Sequence, residues 1–200
     1  MSPRPSTPPI RIRPLPEFHG AVLFEEEAVR EMCRFACRGY ETRQKRETFG
    51  FMYGTLTRDQ RLVARRAVYY RGGRKTRSGV VFKDWATIVR IGLRRQELAR
   101  RLRLRFLGNF HSHVEIAGEV FRGLSDEDRA SFGWDPMSVL EAIVFVWPGT
   151  ARRPARLSGS IVGFEPATGY NYRVRVYAKR LGRVFQARTR VLPSRTVIVF

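Results

Sequence analysis

Residues 111–128 read His-Ser-His-Val-Glu-Ile-Ala-Gly-Glu-Val-Phe-Arg-Gly-Leu-Ser-Asp-Glu-Asp, and this stretch decides how the rest of the chain is read. It holds two of the three histidines in the protein, His111 and His113, spaced i, i+2. Upstream, Phe106–His113 is apolar enough to be a strand. Side chains at i and i+2 of a strand share a face, so both imidazoles can converge on one point. Downstream, Ser125 followed three residues later by Asp128 is a helix-start signature, with serine as N-cap and an acid at N3. A short helix over Asp126–Phe132 and a strand over Val139–Trp147 follow. The unit is strand, loop, helix, strand.

Working outward, Ala21–Phe24 reads as a short strand. Glu25-Glu26-Glu27 opens a helix, its acids placed at the positive end of the helix dipole. Val29, Met32, Cys33, Ala36 and Cys37 form a buried stripe on that helix, and Gly39 is its expected stop. Thr48–Leu56 and Arg61–Tyr70 are read as a hairpin, and 71–75 as an exposed basic loop. Trp85 to about Arg103 is predicted to be a second helix, with Ile88, Val89, Ile91, Leu98 and Leu102 as its apolar surface. Leu157–Phe164 and Tyr170–Ala178 are further strands, and Val184–Val191 and Thr196–Phe200 extend the sheet. Strands alternating with helices at this spacing imply an α/β layer architecture. Residues 1–16 carry six prolines and are read as a tail. The main domain is expected over 17–165, with 166–200 a β extension of the same domain.

The 200-residue chain carries a net charge of +20, almost all of it arginine, with lysine only at Lys45, Lys75, Lys83 and Lys179. Such a charge attracts nucleic acid, acidic proteins and anionic surfaces. A GC-rich genome gives the same arginine bias without functional meaning, and the arginines are scattered rather than gathered in one helix. Nucleic acid is therefore a partner the sequence allows but does not favour. No apolar run reaches the ~18 residues of a membrane-spanning helix, and the proline-rich N-terminus lacks the apolar segment of a secretory signal. The expectation is a soluble cytoplasmic protein without a membrane partner. Cys33 and Cys37, at i, i+4, are read as small buried hydrophobes, because two cysteines make no disulfide framework.

His111, His113 and Asp128 supply three ligands from a strand and the first turn of a helix. Three protein ligands leave one tetrahedral position for water, the mark of a catalytic zinc rather than a structural one. Zinc brings the pKa of such a water towards neutrality. A carboxylate must then take the proton and pass it to the leaving amine. Glu47, in Glu-Thr-Phe-Gly-Phe-Met-Tyr-Gly, is the candidate. Asp126, Glu127, Glu115 and Glu119 are alternative acids near the histidines.

This combination resembles the JAMM (MPN+) metallopeptidase family, whose pattern is a glutamate, then His-x-His, then Ser-x-x-Asp. Leu107–His113 resembles the strand that leads into the family's histidines. Glu47–Gly54 resembles its glutamate strand, with Gly50 and Gly54 in place. The resemblance covers roughly residues 20–165. It implies a cytidine-deaminase-like fold, a mixed sheet flanked by helices. It implies Zn²⁺ on His111, His113 and Asp128, the Ser-x-x-Asp register favouring Asp128 over its acidic neighbours. Glu47 becomes general base and then general acid, and Ser125 a donor to the oxyanion or scissile carbonyl. Two positions depart from the pattern. Val114 stands where the family has proline, and the eleven residues Val114–Leu124 stand where it has seven. Four extra loop residues cost little closure entropy, so the departure bears on substrate more than on metal.

The function implied is a zinc peptidase or isopeptidase that cuts after the C-terminal tail of a ubiquitin-like or sulfur-carrier protein. The implied partners are that protein or its conjugates and the activating and conjugating enzymes of the same system. An extended tail is expected to add as a strand near the site. Two alternatives remain: a non-catalytic MPN scaffold, and a nucleic-acid-associated protein similar to the RadC branch of the superfamily.

Overall fold

The computed structural model describes residues 21–76, 79–82, 84–114, 123–149, 159–180 and 182–193. The elements run β1 (Val22–Glu25), α1 (Glu26–Tyr40), β2 (Phe49–Leu56), β3 (Leu62–Tyr69), β4 (Arg74–Lys75), β5 (Val80–Val81), α2 (Trp85–Leu102), β6 (Arg105–His113), α3 (Asp126–Trp134), β7 (Leu140–Pro148), β8 (Ser160–Glu165), β9 (Tyr170–Arg180), β10 (Arg183–Gln186) and β11 (Thr189–Leu192). The architecture is mixed α/β, a sheet core flanked by three helices.

The main sheet runs β10-β9-β7-β6-β2-β3-β1-β11, and β8 also pairs with β9. β8 and β10 occupy successive lengths of one edge of β9, Tyr170–Arg175 and Tyr177–Arg180 respectively. The sheet curls so that β8 comes into contact with β11 at the far end, and Gln186 Nε2 donates to Gly159 O at 2.7 Å. β6 lies at the centre, antiparallel to β2 and parallel to β7. A parallel neighbour requires a crossover, and α3 is that crossover.

Period-2 alternation gives the sheet two different faces. Gly50, Met52, Phe110, Ala142, Val144, Val174 and Val176 sit on one face with the stripe of α1. That packing is the main core, and it contains both cysteines, fully buried and unbridged. The other face carries two smaller clusters. Phe51, Tyr53 and Phe106 pack under Ile91 and Leu98 of α2. Ile143, Phe145 and Tyr177 pack with Leu124 and with Phe132 of α3. The histidines lie on this second face, in the gap between the clusters. On the first face Gly50 is needed, because a Cβ there would stand 2.3 Å from the Phe110 ring. Gly108 is needed for a similar reason, since its Cβ would stand 1.8 Å from Leu140 O where β6 and β7 approach.

Several sequence expectations are corrected. α1 runs through Gly39 to Tyr40, its last carbonyls taken by Glu41 N and Arg46 N. The 71–75 segment is not all loop: Arg74–Lys75 pairs with Val80–Val81 in a two-stranded ribbon. Ile88 and Val89 of α2 are exposed, and only Ile91, Arg95 and Leu98 of that helix are buried. Residues 184–191 are two strands on opposite sides of the sheet rather than one. Ala187, buried and donating to Val176 O, marks the crossing. β9 pairs with β7 and β11 with β1, so the C-terminal strands are built into the same sheet. The tail at 1–16, Glu115, Glu119 and the strand at 196–200 lie outside the described residues. Among the described residues, no helix is long and apolar enough to cross a membrane.

Candidate metal centre

β6 presents Asn109, His111 and His113 in a row on one face, and all three are buried. His111 Nε2 and His113 Nε2 stand 3.0 Å apart. α3 closes the third side. Asp128 Oδ1 is 3.3 Å from His111 Nε2, and Asp128 Oδ2 is 3.4 Å from His113 Nε2. The three side chains can each turn a ligand atom to one point, with all such atoms within 4.8 Å. Asp126 and Glu127, the alternative acids in the same turn, are exposed to solvent.

The start of α3 is fixed by a capping box. Ser125 Oγ accepts from Asp128 N at 3.0 Å, and Asp128 Oδ2 accepts from Ser125 N at 3.1 Å. The same residue pair thus caps the helix and fixes the candidate ligand Asp128. The capping bond uses Ser125 Oγ as an acceptor, so its hydroxyl proton is left to donate elsewhere.

Glu47 is buried just before β2 and lines the same cavity, of about 680 Å³, as His111 and Asp128. Its backbone is tied on both sides. Glu47 N donates to Thr76 O at 2.9 Å. Thr48 N and Thr48 Oγ1 both reach Ser112 Oγ, at 2.8 and 3.0 Å, and Ser112 N donates to Thr48 O. The serine between the histidines therefore locks the glutamate segment to the histidine strand. Burial pushes the Glu47 carboxyl up to about 7, against the pull of His111 and His113 and with help from Asp128. A carboxyl poised near neutrality is what a proton shuttle requires.

Glu141 was missed by the sequence reading. It sits on β7 opposite Asn109, buried, and its Oε1 accepts from His111 Nδ1 at 2.9 Å. This bond fixes the tautomer, so His111 Nε2 faces the cluster with its lone pair. Glu141 is itself held by a buried chain. Asn109 Nδ2 donates to Glu141 Oε2 at 3.2 Å and to Ser138 Oγ at 3.1 Å. Arg95 holds Asn109 Oδ1 at 2.8 Å and Asp135 Oδ2 at 2.8 Å, and Ser138 Oγ donates to Asp135 Oδ2 at 2.7 Å. The available signal was a lone acid inside the apolar run Leu140-Glu141-Ala142-Ile143-Val144. An acid there must be paired to be buried.

The donor set fits a divalent cation. Two buried imidazole nitrogens 3.0 Å apart, with a carboxylate beside both, concentrate lone pairs that only a proton or a cation can satisfy. Without a metal a proton takes that place. Burial lowers the His111 pKa, but Asp128 and Glu141 overcome it and lift it to about 10. Burial raises Asp128, yet the two histidines hold it well below the usual carboxylate range. Two imidazoles and one carboxylate match the preferences of zinc. At the cavity mouth stand Phe82, Trp85, Ile88 and Trp134, with Trp85 76% and Trp134 86% exposed.

No protein-family model matches this chain. No curated protein matches it either. Among solved structures it is similar to protein DSY2949 from Desulfitobacterium hafniense, at a TM-score of 0.53 and 16% identity. The match covers 86% of this chain and 93% of that one. At that identity the likeness concerns the fold alone.

Proposed function

We propose that the chain is a zinc-dependent metallopeptidase or isopeptidase of the JAMM type, acting after the C-terminal tail of a ubiquitin-like or sulfur-carrier protein. The observation that carries this reading is the convergence of His111, His113 and Asp128, with Glu47 in the same cavity. Their order along the chain is the family's order, and a glutamate, two histidines, a serine and an aspartate are all present. A purely structural His-Asp cluster has no need of a second buried carboxyl beside it with its pKa near 7.

In this reading His111, His113 and Asp128 hold zinc, and Glu141 orients His111. Lewis acidity towards a water molecule and the scissile carbonyl is the chemistry that zinc supplies when bound. Glu47 accepts the proton of the attacking water and returns it to the leaving amine. The Ser125 hydroxyl donates to the developing oxyanion. The apolar mouth formed by Phe82, Trp85, Ile88 and Trp134 excludes water and offers surface to a tail. The β4–β5 ribbon, whose Val80 lines the cavity, offers a backbone edge for that tail to pair with. Its cytoplasmic location is part of the same proposal.

The test is hydrolysis of a fusion in which a ubiquitin-like protein precedes a reporter. Cleavage after the tail, lost on chelation, restored by zinc and absent in Glu47→Gln, is the expected result. No cleavage by zinc-loaded protein of any ubiquitin-like fusion, conjugate or sulfur-carrier fusion would leave the non-catalytic scaffold as the better reading.

A further inference from the structure

A second concavity adjoins the segment that carries Glu47. Its volume is about 980 Å³, and it is lined by Arg43, Gln44, Arg46, Arg71, Arg74 and Lys75 together with Gly73 and Thr76. Among the described residues no carboxylate lines it, and the four arginines are exposed. Lys75 is held by the Tyr69 hydroxyl and by Tyr70 O at 3.1 Å, and Arg46 by Gln44 Oε1 at 2.9 Å. These partners orient the cations without neutralising them. Some arginines elsewhere on the surface meet acids. Arg30 pairs with Glu26, Arg61 with Asp59, Arg65 with Glu25, Arg66 with Glu31 and Arg94 with Glu97. Five cations gathered in one concavity give a positive potential that attracts an anion.

We propose that this groove binds the phosphodiester backbone of a single-stranded nucleic acid. Three features favour that ligand over an acidic protein. Four of the five cations are arginines, whose forked guanidinium matches phosphate oxygens bidentately. The cations come from two backbone segments, 43–46 and 71–75, which line one concavity beside the Glu47 N–Thr76 O bond, an extended basic surface of the kind a strand's backbone can follow. Among the described residues that line it none has an apolar side chain, whereas a protein interface centres on buried apolar anchors. The groove also touches the catalytic machinery proposed above without depending on it. Arg46 precedes Glu47, and Glu47 N donates to Thr76 O, which lines the groove.

The experiment is fluorescence anisotropy of a labelled mixed-sequence single-stranded oligonucleotide with the full chain over a salt series. For single strands, log K falls with log salt at roughly −0.7 per phosphate contacted. Five cations give a slope of about −3.5. Arg71→Glu with Arg74→Glu should weaken binding at least tenfold and flatten the slope to about −2. Arg71→Lys with Arg74→Lys should keep the slope. Arg183→Glu with Arg190→Glu, the same charge change at exposed sites on β10 and β11, should cost no more than about threefold. Circular dichroism of each variant confirms folding. Equal losses in the groove and control variants would overturn the proposal, since binding would then follow net charge alone. So would a polyglutamate of equal charge that competes as well as unlabelled oligonucleotide, or no binding at low salt. None of these readouts involves zinc or peptidase activity, so failure here and failure of the peptidase reading are separate results.

Discussion

Replacing Glu141 tests whether a residue that touches no substrate sets the strength of the metal site. Glu141→Gln keeps the volume and an oxygen that can accept from His111 Nδ1. Its amide nitrogen must then face Asn109 Nδ2, which now donates to Glu141 Oε2. Asn109 cannot turn to compensate, because Arg95 holds its Oδ1 at 2.8 Å. One buried hydrogen bond is lost, at about 1 kcal/mol. The negative charge that raises the basicity of His111 is lost as well. Removing such a partner weakens metal affinity by roughly 10–100-fold, or about 1.4–2.8 kcal/mol. Glu141→Ala strands His111 Nδ1 and removes one partner of Asn109, and costs about 1–3 kcal/mol for each group left unsatisfied. The assay is zinc affinity by chelator competition, paired with thermal unfolding of the zinc-free protein. A folded Glu141→Gln protein with unchanged zinc affinity would refute the reasoning, as would a large fall in stability with no change in affinity.

Glu47→Gln should keep zinc and fold while turnover disappears; loss of metal along with activity would make Glu47 a ligand. Ser125→Ala removes an acceptor for Asp128 N and should cost about 0.5–2 kcal/mol, read by denaturant titration. If the hydroxyl also serves the oxyanion, kcat should fall by roughly a hundredfold or more in the zinc-loaded variant, and a near-normal kcat would reduce Ser125 to a cap. The pH dependence of the chelated protein has a definite sign. Glu47 is raised from 4.5 to about 7 and His111 from 6.5 to about 10, so across pH 5–9 the folded state binds protons that the unfolded chain has released. Stability should therefore fall as pH rises from 6 to 9. The gain in Tm on adding zinc should grow over pH 5–8, because the metal displaces the His111 proton; a chelated protein that became more stable from pH 6 to 9 would contradict both groups.

What was legible in the sequence was local. The stripe from Val29 to Cys37 gave α1, the i, i+2 histidines gave a shared strand face, and Ser125 with Asp128 gave a helix start that sets Asp128 beside the histidines. Asp128 stands 15 residues from His113, but a capped helix start limits where its N3 side chain can point. Glu141 was not legible, because its role depends on β7 lying parallel to β6 in a register that sets it opposite Asn109. Spacing on α2 showed an amphipathic helix but not how much of it would be covered. Ile88 and Val89 stay exposed because the cluster under α2 takes up Ile91, Leu98, Ala99 and Leu102 but not these two. The crossing at Ala187 depends on its contact with Val176, which no local pattern records. The β4–β5 ribbon is too short, with strands of two residues, for alternation to show.

The central claim is that His111, His113 and Asp128 hold one zinc ion with a position left for water. Metal analysis of the purified chain, combined with X-ray absorption at the zinc edge, tests it most directly. The account predicts about one zinc per chain with two imidazole nitrogens and oxygen ligands, all near ~2.0–2.2 Å, and no sulfur near ~2.3 Å. Sulfur is excluded because Cys33 and Cys37 are sealed in the core on the other face of the sheet. Loss of the metal in His111→Ala with His113→Ala completes the expected result. No zinc under metal-replete conditions, or a first shell containing sulfur, would contradict the account.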